Sequence, residues 1–124
     1  MQDATLVFLI KGQPAEEVLL GYKKIGFGQG KYNGIGGKIE NGEAVRAAAV
    51  RELAEEVGVK TATDTLEPAA HLTFFFPHHN EWDQVVHVFV ANDWQGHPVE
   101  SDEMRPAWFK VSQIPFDRMW QDDA

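Results

Sequence analysis

No cysteine occurs among the 124 residues, which excludes disulfides and thiolate metal sites. The longest apolar runs, such as Thr5 to Ile10, fall well short of the roughly 20 residues that a membrane span needs. Basic residues are scarce: 11 lysines and arginines stand against 19 acids, for a net charge of −8. Binders of nucleic-acid polymers present a basic face, so a polymer partner is not expected. A small polyanion remains admissible if a divalent cation intervenes. Repeats and low-complexity tracts are absent, and no basic flank, apolar stretch and cleavage site combine at the N-terminus. The expectation is a cytoplasmic protein without a membrane partner. A 44% hydrophobic and 24% charged composition is that of a folded chain, and the length suits one domain spanning 1–124.

What is present organises into strands around one helix. Thr5 to Ile10 reads as a strand buried on both faces and Val18 to Tyr22 as a second. Glycines at 26, 28, 30, 34, 36 and 37 make the next stretch a loop whose backbone needs unusual torsions or close approach. Glu43 to Val57 is rich in Ala, Glu, Arg and Leu and predicts a helix, stopped by Gly58. Leu72–Phe76 and Gln84–Ala91 predict a hairpin, Pro106–Lys110 a short strand, and Ile114 onward the first turn of a helix. The fold class is therefore α/β or α+β, with helices on a mixed sheet.

At about 100° per residue, Glu52, Glu55 and Glu56 share one helix face, with Ala49, Val50, Leu53, Ala54 and Val57 turned to the sheet. Adjacent carboxylates repel by about 0.2–0.5 kcal/mol per pair, and only Arg51 offsets this locally. On composition alone the stripe reads as a solvated acidic face. The glycine-rich Gly34-Ile35-Gly36-Gly37 just upstream tips the balance, because it lets backbone groups approach an anion or its metal.

Gly37, Glu43, Arg51-Glu52-Leu53, Glu55-Glu56 and Gly58-Val59 form G-x5-E-x7-R-E-U-x-E-E-x-G-U, where U is aliphatic. This pattern, over 37–59, resembles the Nudix box with every defining position filled. The resemblance implies an α/β/α sandwich around a mixed sheet and hydrolysis of a nucleoside diphosphate linked to another group. It implies Mg²⁺, with Mn²⁺ able to substitute, held by Glu52, Glu55, Glu56 and the Gly36 carbonyl. Arg51 would orient a carboxylate, Glu43 would support the loop, and Glu56 would be principal ligand and general base.

Patches outside the box, including Val18–Lys24, Gly26-Phe27-Gly28, Asn33-Gly34, Val99–Pro106 and Ile114–Asp123, resemble the animal members of that family that hydrolyse oxidised purine nucleoside triphosphates such as 8-oxo-dGTP and 2-hydroxy-dATP. Phe27 and Trp120 offer flat faces to a base, Asn33 a donor and an acceptor, and Asp122 and Asp123 acceptors for ring N–H and amino groups. The resemblance adds Thr5, Lys23, Ile35, Gly36, Gly37, Lys38, Phe74 and Gln121 to the substrate site and Glu103 to the metal site. Read without it, Lys23 is a solvated lysine, Glu103 a loop charge and Asp122-Asp123 an acidic end. Phe74 and Phe76 are core or pocket wall. The resembled enzymes continue past the acid pair with an aromatic-rich helix and a strand, so a C-terminal segment of the family is expected to be lacking.

His78, His79, Glu81 and Asp83 are read as a turn rather than a metal cluster, and His87 as a hydrogen-bonded sheet histidine. Rival functions are a Nudix hydrolase for methylated or unmodified purine nucleotides or dinucleoside polyphosphates, and a nucleotide-binding module without catalysis. A monomer is expected, with a small nucleotide as its partner.

Overall fold

A computed structural model describes residues 2–12, 14–25 and 29–119. Six strands form one mixed sheet: β1 (Gln2–Lys11), β2 (Glu17–Lys23), β3 (Tyr32–Asn33), β4 (Glu67–Phe74), β5 (Gln84–Ala91) and β6 (Met104–Lys110). The helix α1 (Val45–Val57) lies on one face.

Alternation along β1 decides what each face carries. Val7 and Leu9 are buried toward α1, packing with Leu19, Ile35, Ala49, Leu53, Val57, Phe89 and Ala91, and Thr5 on the same alternation is also buried. Leu6, Phe8 and Ile10 turn to the other face and are only half-buried. The face of β1 toward α1 is thus fully covered, and the opposite face only in part, where Ala4 is buried beside Val86 and Val88. Each fully buried Leu or Val of this core contributes about 1.5–3 kcal/mol relative to exposure.

The pairing of β1 shapes everything functional. Along its length it runs parallel to β5, from Gln2 opposite Gln84 to Leu9 opposite Ala91. To β2 it is joined only at Ile10–Val18 and Lys11–Glu17. Beyond that point β2 leaves with β3 and β6, pairing with β6 from Glu17–Lys110 to Lys23–Met104. The sheet is therefore split into two halves joined at one end. The segment Gly34–Lys38 leans against the open side of β1 through Val7–Ile35 and Ala4–Lys38 bridges.

The helix begins two residues later than its composition predicts. Gly42, at φ 80°, closes a turn in which the Glu43 amide donates to the Glu40 carbonyl, and the Glu43 carboxylate accepts from the Glu40 amide. Glu43 is thereby spent on the loop. The stop falls as expected: Gly58 takes the left-handed conformation at φ 72°, and the Gly58 and Val59 amides return to the Ala54 and Leu53 carbonyls. Two helix positions differ from the simple wheel, for Ala54 is exposed while Glu56 is buried.

The glycine stretch contains the short strand β3, which no propensity signals. β4 starts at Glu67 and ends at Phe74, leaving Phe76 beyond it, and β6 starts two residues early at Met104. Past β6 the described residues hold 3-10 turns at Val111–Gln113 and Phe116–Arg118 rather than a helix. Among the described residues α1 is the one α-helix, so the second helical layer of the expected sandwich is not among them.

Candidate active site

Arg51 is the organising side chain. Its Nε donates to Glu43 Oε2 at 2.8 Å and Nη2 to Glu43 Oε1 at 3.0 Å. Nη1 reaches Glu52 Oε1 and Glu55 Oε1, both at 3.0 Å, and Nη2 also donates to the Lys38 carbonyl at 3.1 Å. One guanidinium therefore ties the start of α1, its acidic face and the glycine loop together, the fork geometry that Lys cannot reproduce. It holds the Glu43 carboxyl below its ordinary range, chiefly by direct hydrogen bonding.

Glu52, Glu55, Glu56, Ser101, Asp102 and Glu103 line a pocket of about 410 Å³ at the mouth of the split. The acids differ in environment. Glu55 is exposed, Glu52 is partly sheltered, and Glu56 is 6% exposed. Burial pushes Glu56 up to about 7, with Glu52 and Glu103 adding repulsion and Lys23 and a Gly36 backbone hydrogen bond opposing it. Glu52 is also raised, first by burial. Glu56 Oε2 is buried without a hydrogen-bond partner. Such an atom costs free energy unless something else satisfies it.

Among the described residues no three acidic or histidine side chains converge on a single point, and Glu52 and Glu55 each share a hydrogen bond with Arg51. The donor set nonetheless fits a hard divalent cation: all-oxygen, multiply anionic, and with one buried oxygen unmatched.

The glycines have steric reasons. A Cβ on Gly36 would lie 1.8 Å from the Thr5 carbonyl oxygen, and one on Gly37 2.7 Å from Glu52 Oε1. The Thr5 amide donates to the Gly37 carbonyl at 2.9 Å. The loop thus passes between β1 and the acids with no room for side chains.

A second, larger cleft of about 720 Å³ occupies the split between the half-sheets and shares Glu52, Glu56 and Glu103 with the acidic pocket. Thr5, Lys23, Asn33, Gly36, Gly37, Lys38 and Phe74, all singled out in the sequence, line it, as does Phe76. Thr5 Oγ1 is buried there without a partner. Asn33 Oδ1 accepts from the Gly34 amide at 2.8 Å, which leaves its amide nitrogen to offer. Ile35 does not belong to the cleft: its side chain is wholly buried in the core. Phe27, Trp120, Gln121, Asp122 and Asp123 lie outside the described residues.

Sequence reasoning missed Gln2, Ala4, Gln84, Val86, Trp82 and Met119 as cleft residues. Alternation along β1 and β5, once their register is known, identifies Gln2, Ala4, Gln84 and Val86; Trp82, in the turn before β5, and Met119, after the last 3-10 turn, carry no such signal. The sequence readings of the histidines agree with their placement. His79 sits in the hairpin turn, and His87 bonds His71 at 2.9 Å and Asp3 at 3.1 Å.

One acidic helix over a split mixed sheet, with carboxylates at the mouth of a cleft, is an architecture that comparison with known proteins assigns to a family. A family model described as the NUDIX domain matches residues 1–124. An oxidized purine nucleoside triphosphate hydrolase of Danio rerio is 50% identical over 119 residues, covering 96% of this chain and 72% of the relative. The Mus musculus protein of the same description is 47% identical over 120 residues, covering 97% and 73%. The crystal structure of a MutT NUDIX hydrolase from Burkholderia pseudomallei superposes with a TM-score of 0.79 at 23% identity, covering 92% of this chain and 86% of that one. The chain belongs to the Nudix family of hydrolases. No helix among the described residues is long and apolar enough to cross a membrane.

Proposed function

We propose that this chain hydrolyses oxidised purine nucleoside triphosphates, such as 8-oxo-dGTP and 2-hydroxy-dATP, to the monophosphate and pyrophosphate. The observation that carries this reading is the continuity of the acidic pocket with the larger cleft through Glu52, Glu56 and Glu103. A nucleotide spanning both would place its phosphates at the carboxylates and its base among Asn33, Phe74 and the apolar floor. The relatives' activity on oxidised purine triphosphates, at about half identity over most of the chain, supports the substrate class.

Glu52, Glu55, Glu56 and Glu103, with the Gly36 backbone, are the residues that would hold Mg²⁺, or Mn²⁺ in its place. When bound, such an ion neutralises phosphate oxygens and lowers the barrier to attack by water. Arg51 keeps Glu52 and Glu55 aimed and fixes the loop through the Lys38 carbonyl. Lys23 and Lys38 supply positive charge along the cleft toward the triphosphate. Glu56 is assigned the proton of the attacking water, through Oε2, the atom with no partner in the protein. The phosphoanhydride bond breaks and pyrophosphate leaves.

Pyrophosphate release with Mg²⁺ across a nucleotide panel tests the reading. Higher kcat/KM for 8-oxo-dGTP or 2-hydroxy-dATP than for dGTP and dATP is expected. A preference for unmodified dGTP would overturn the substrate, and no release from any nucleotide would overturn the activity.

A further inference from the structure

The turn between β4 and β5, read from the sequence as an ordinary polar tip, is folded and faces the cleft. Asn80–Trp82 form a 3-10 turn whose amides return to the chain: His79 to the Phe76 carbonyl, Trp82 to His79 and Asp83 to Asn80. The Phe76 amide donates to Asp83 Oδ1 at 2.7 Å, closing the tip across its base. The Gln2 amide donates to the Asp83 carbonyl at 3.0 Å and pins the tip to β1. The Trp82 indole stacks on His79 with centroids 4.1 Å apart and meets Phe76 edge-on at 5.7 Å. These contacts preorganise an aromatic rim, yet Trp82 remains 45% exposed, and Phe76, Glu81 and Trp82 all line the cleft.

Below the rim, register fixes a second feature. Gln84 is the Cα partner of both Gln2 on β1 and Phe74 on β4, so the three stand in one row. The next row on the same face pairs Ala4 with Val86, and both belong to an apolar cluster with Leu6, Phe8 and Phe74. The floor is therefore apolar except for one row of carboxamides beside the rim. A carboxamide both donates and accepts, which an apolar floor needs only where something polar is to be met. Asn33, on β3, approaches the cleft from the opposite half-sheet.

Resting on the reading of the cleft as a nucleotide site, we propose that this hairpin is a second base-recognition wall, with Trp82 packing against a bound purine and the Gln84 carboxamide hydrogen-bonding its edge. Asn33 and the hairpin then read the base from opposite sides. An aromatic wall favours purines over the smaller pyrimidines in any oxidation state. The Gln84 contact depends on the groups at the base edge, and so it bears on which modified purine is preferred.

Equilibrium binding of nucleoside monophosphates tests the wall without relying on catalysis. Isothermal titration would compare 8-oxo-dGMP, dGMP and dCMP on wild type, Trp82→Ala, Trp82→Phe and Gln84→Leu, each checked by thermal melt. Loss of an aromatic base contact corresponds to a Kd about tenfold weaker. Trp82→Ala should weaken both purine nucleotides by about that factor, and Trp82→Phe should restore most of it. Gln84→Leu should change the ratio of 8-oxo-dGMP to dGMP affinity by at least about threefold, where a merely structural role would weaken both equally. If Trp82→Ala melts at room temperature, Trp82→Leu, which fills the space without an aromatic face, and Gln84→Leu carry the decision. Purine Kd values within twofold of wild type in Trp82→Ala or Trp82→Leu, with an unchanged 8-oxo-dGMP to dGMP ratio in Gln84→Leu, would overturn the wall, as would a wild type that binds no purine nucleotide. If the wild type binds purines through Trp82 and Gln84 but hydrolyses no oxidised purine triphosphate, the wall stands and the proposed substrate falls.

Discussion

Arg51 and Glu43 are joined by two parallel hydrogen bonds, of 2.8 and 3.0 Å, between a helix side chain and the loop that precedes the helix. This pair holds the guanidinium in the one orientation from which Nη1 reaches both Glu52 and Glu55. Arg51→Lys keeps the charge and loses the fork. Groups that orient metal ligands in this way typically contribute about 10–100-fold in metal affinity or activity. The variant should therefore need more Mg²⁺ for half-maximal activity by about that factor, measured by Mg²⁺ titration of pyrophosphate release. An unchanged Mg²⁺ requirement would show that Arg51 acts elsewhere.

Glu56→Gln keeps the shape and removes the charge and the base. Turnover should fall by about a thousandfold or more, since the proposal gives this residue both proton transfer and a share of the metal. Activity within tenfold of wild type would sink the assignment.

The same residue predicts how the protein without metal responds to pH. Burial pushes the folded Glu56 carboxyl up to about 7, above its ordinary value of 4.5. A carboxyl with a raised folded pKa binds its proton more tightly when folded, so the native state holds more protons between the two values. Its contribution is fully present below about 4.5 and is lost as pH rises through about 7, for at most about 3 kcal/mol. Glu52 adds in the same direction. In EDTA the melting temperature should fall from pH 5 to pH 8, and Glu56→Gln should flatten that slope. Added Mg²⁺ should recover stability at pH 8, because it favours the ionised acids. A flat profile for the wild type in EDTA would contradict the burial argument.

The two loop glycines should fail differently. At Gly36 an added Cβ meets the backbone carbonyl of Thr5, which cannot move without shifting β1. Gly36→Ala should destabilise the fold by about 1–3 kcal/mol or more, read by denaturant unfolding. At Gly37 the obstacle is the flexible end of Glu52. Gly37→Ala should keep more of its stability while weakening the response to Mg²⁺. Equal loss of stability in both would refute the distinction.

The metal side of the site was legible because local spacing generates it. Glu52, Glu55 and Glu56 on one helix, with Arg51 among them and Glu43 at the preceding turn, need only the helical repeat and a glycine loop. The burial of Glu56 was not legible, because an ideal wheel ignores the loop and β1 that cover its end of the helix. Ile35 misled in the opposite sense: standing between cleft glycines, it points into the core, since its backbone pairs with Val7. The floor was invisible for a different reason. Gln2, Gln84 and Phe74 are far apart in sequence and meet only through a parallel pairing that no local pattern encodes. The tip from Pro77 to Asp83 carried polar residues that any turn might have, and its aromatic contacts depend on the 3-10 geometry.

Because β1 and β2 share only two ladder positions, at Ile10–Val18 and Lys11–Glu17, that short junction works as a fulcrum. Thr5 and Gln2 ride one arm, and Gly21, Lys23 and, through pairing, Asn33 ride the other. A one-residue slip at the fulcrum would turn every side chain of one arm to its opposite face. A change in the turn that joins the arms would alter the aperture between them while touching no residue that meets the nucleotide.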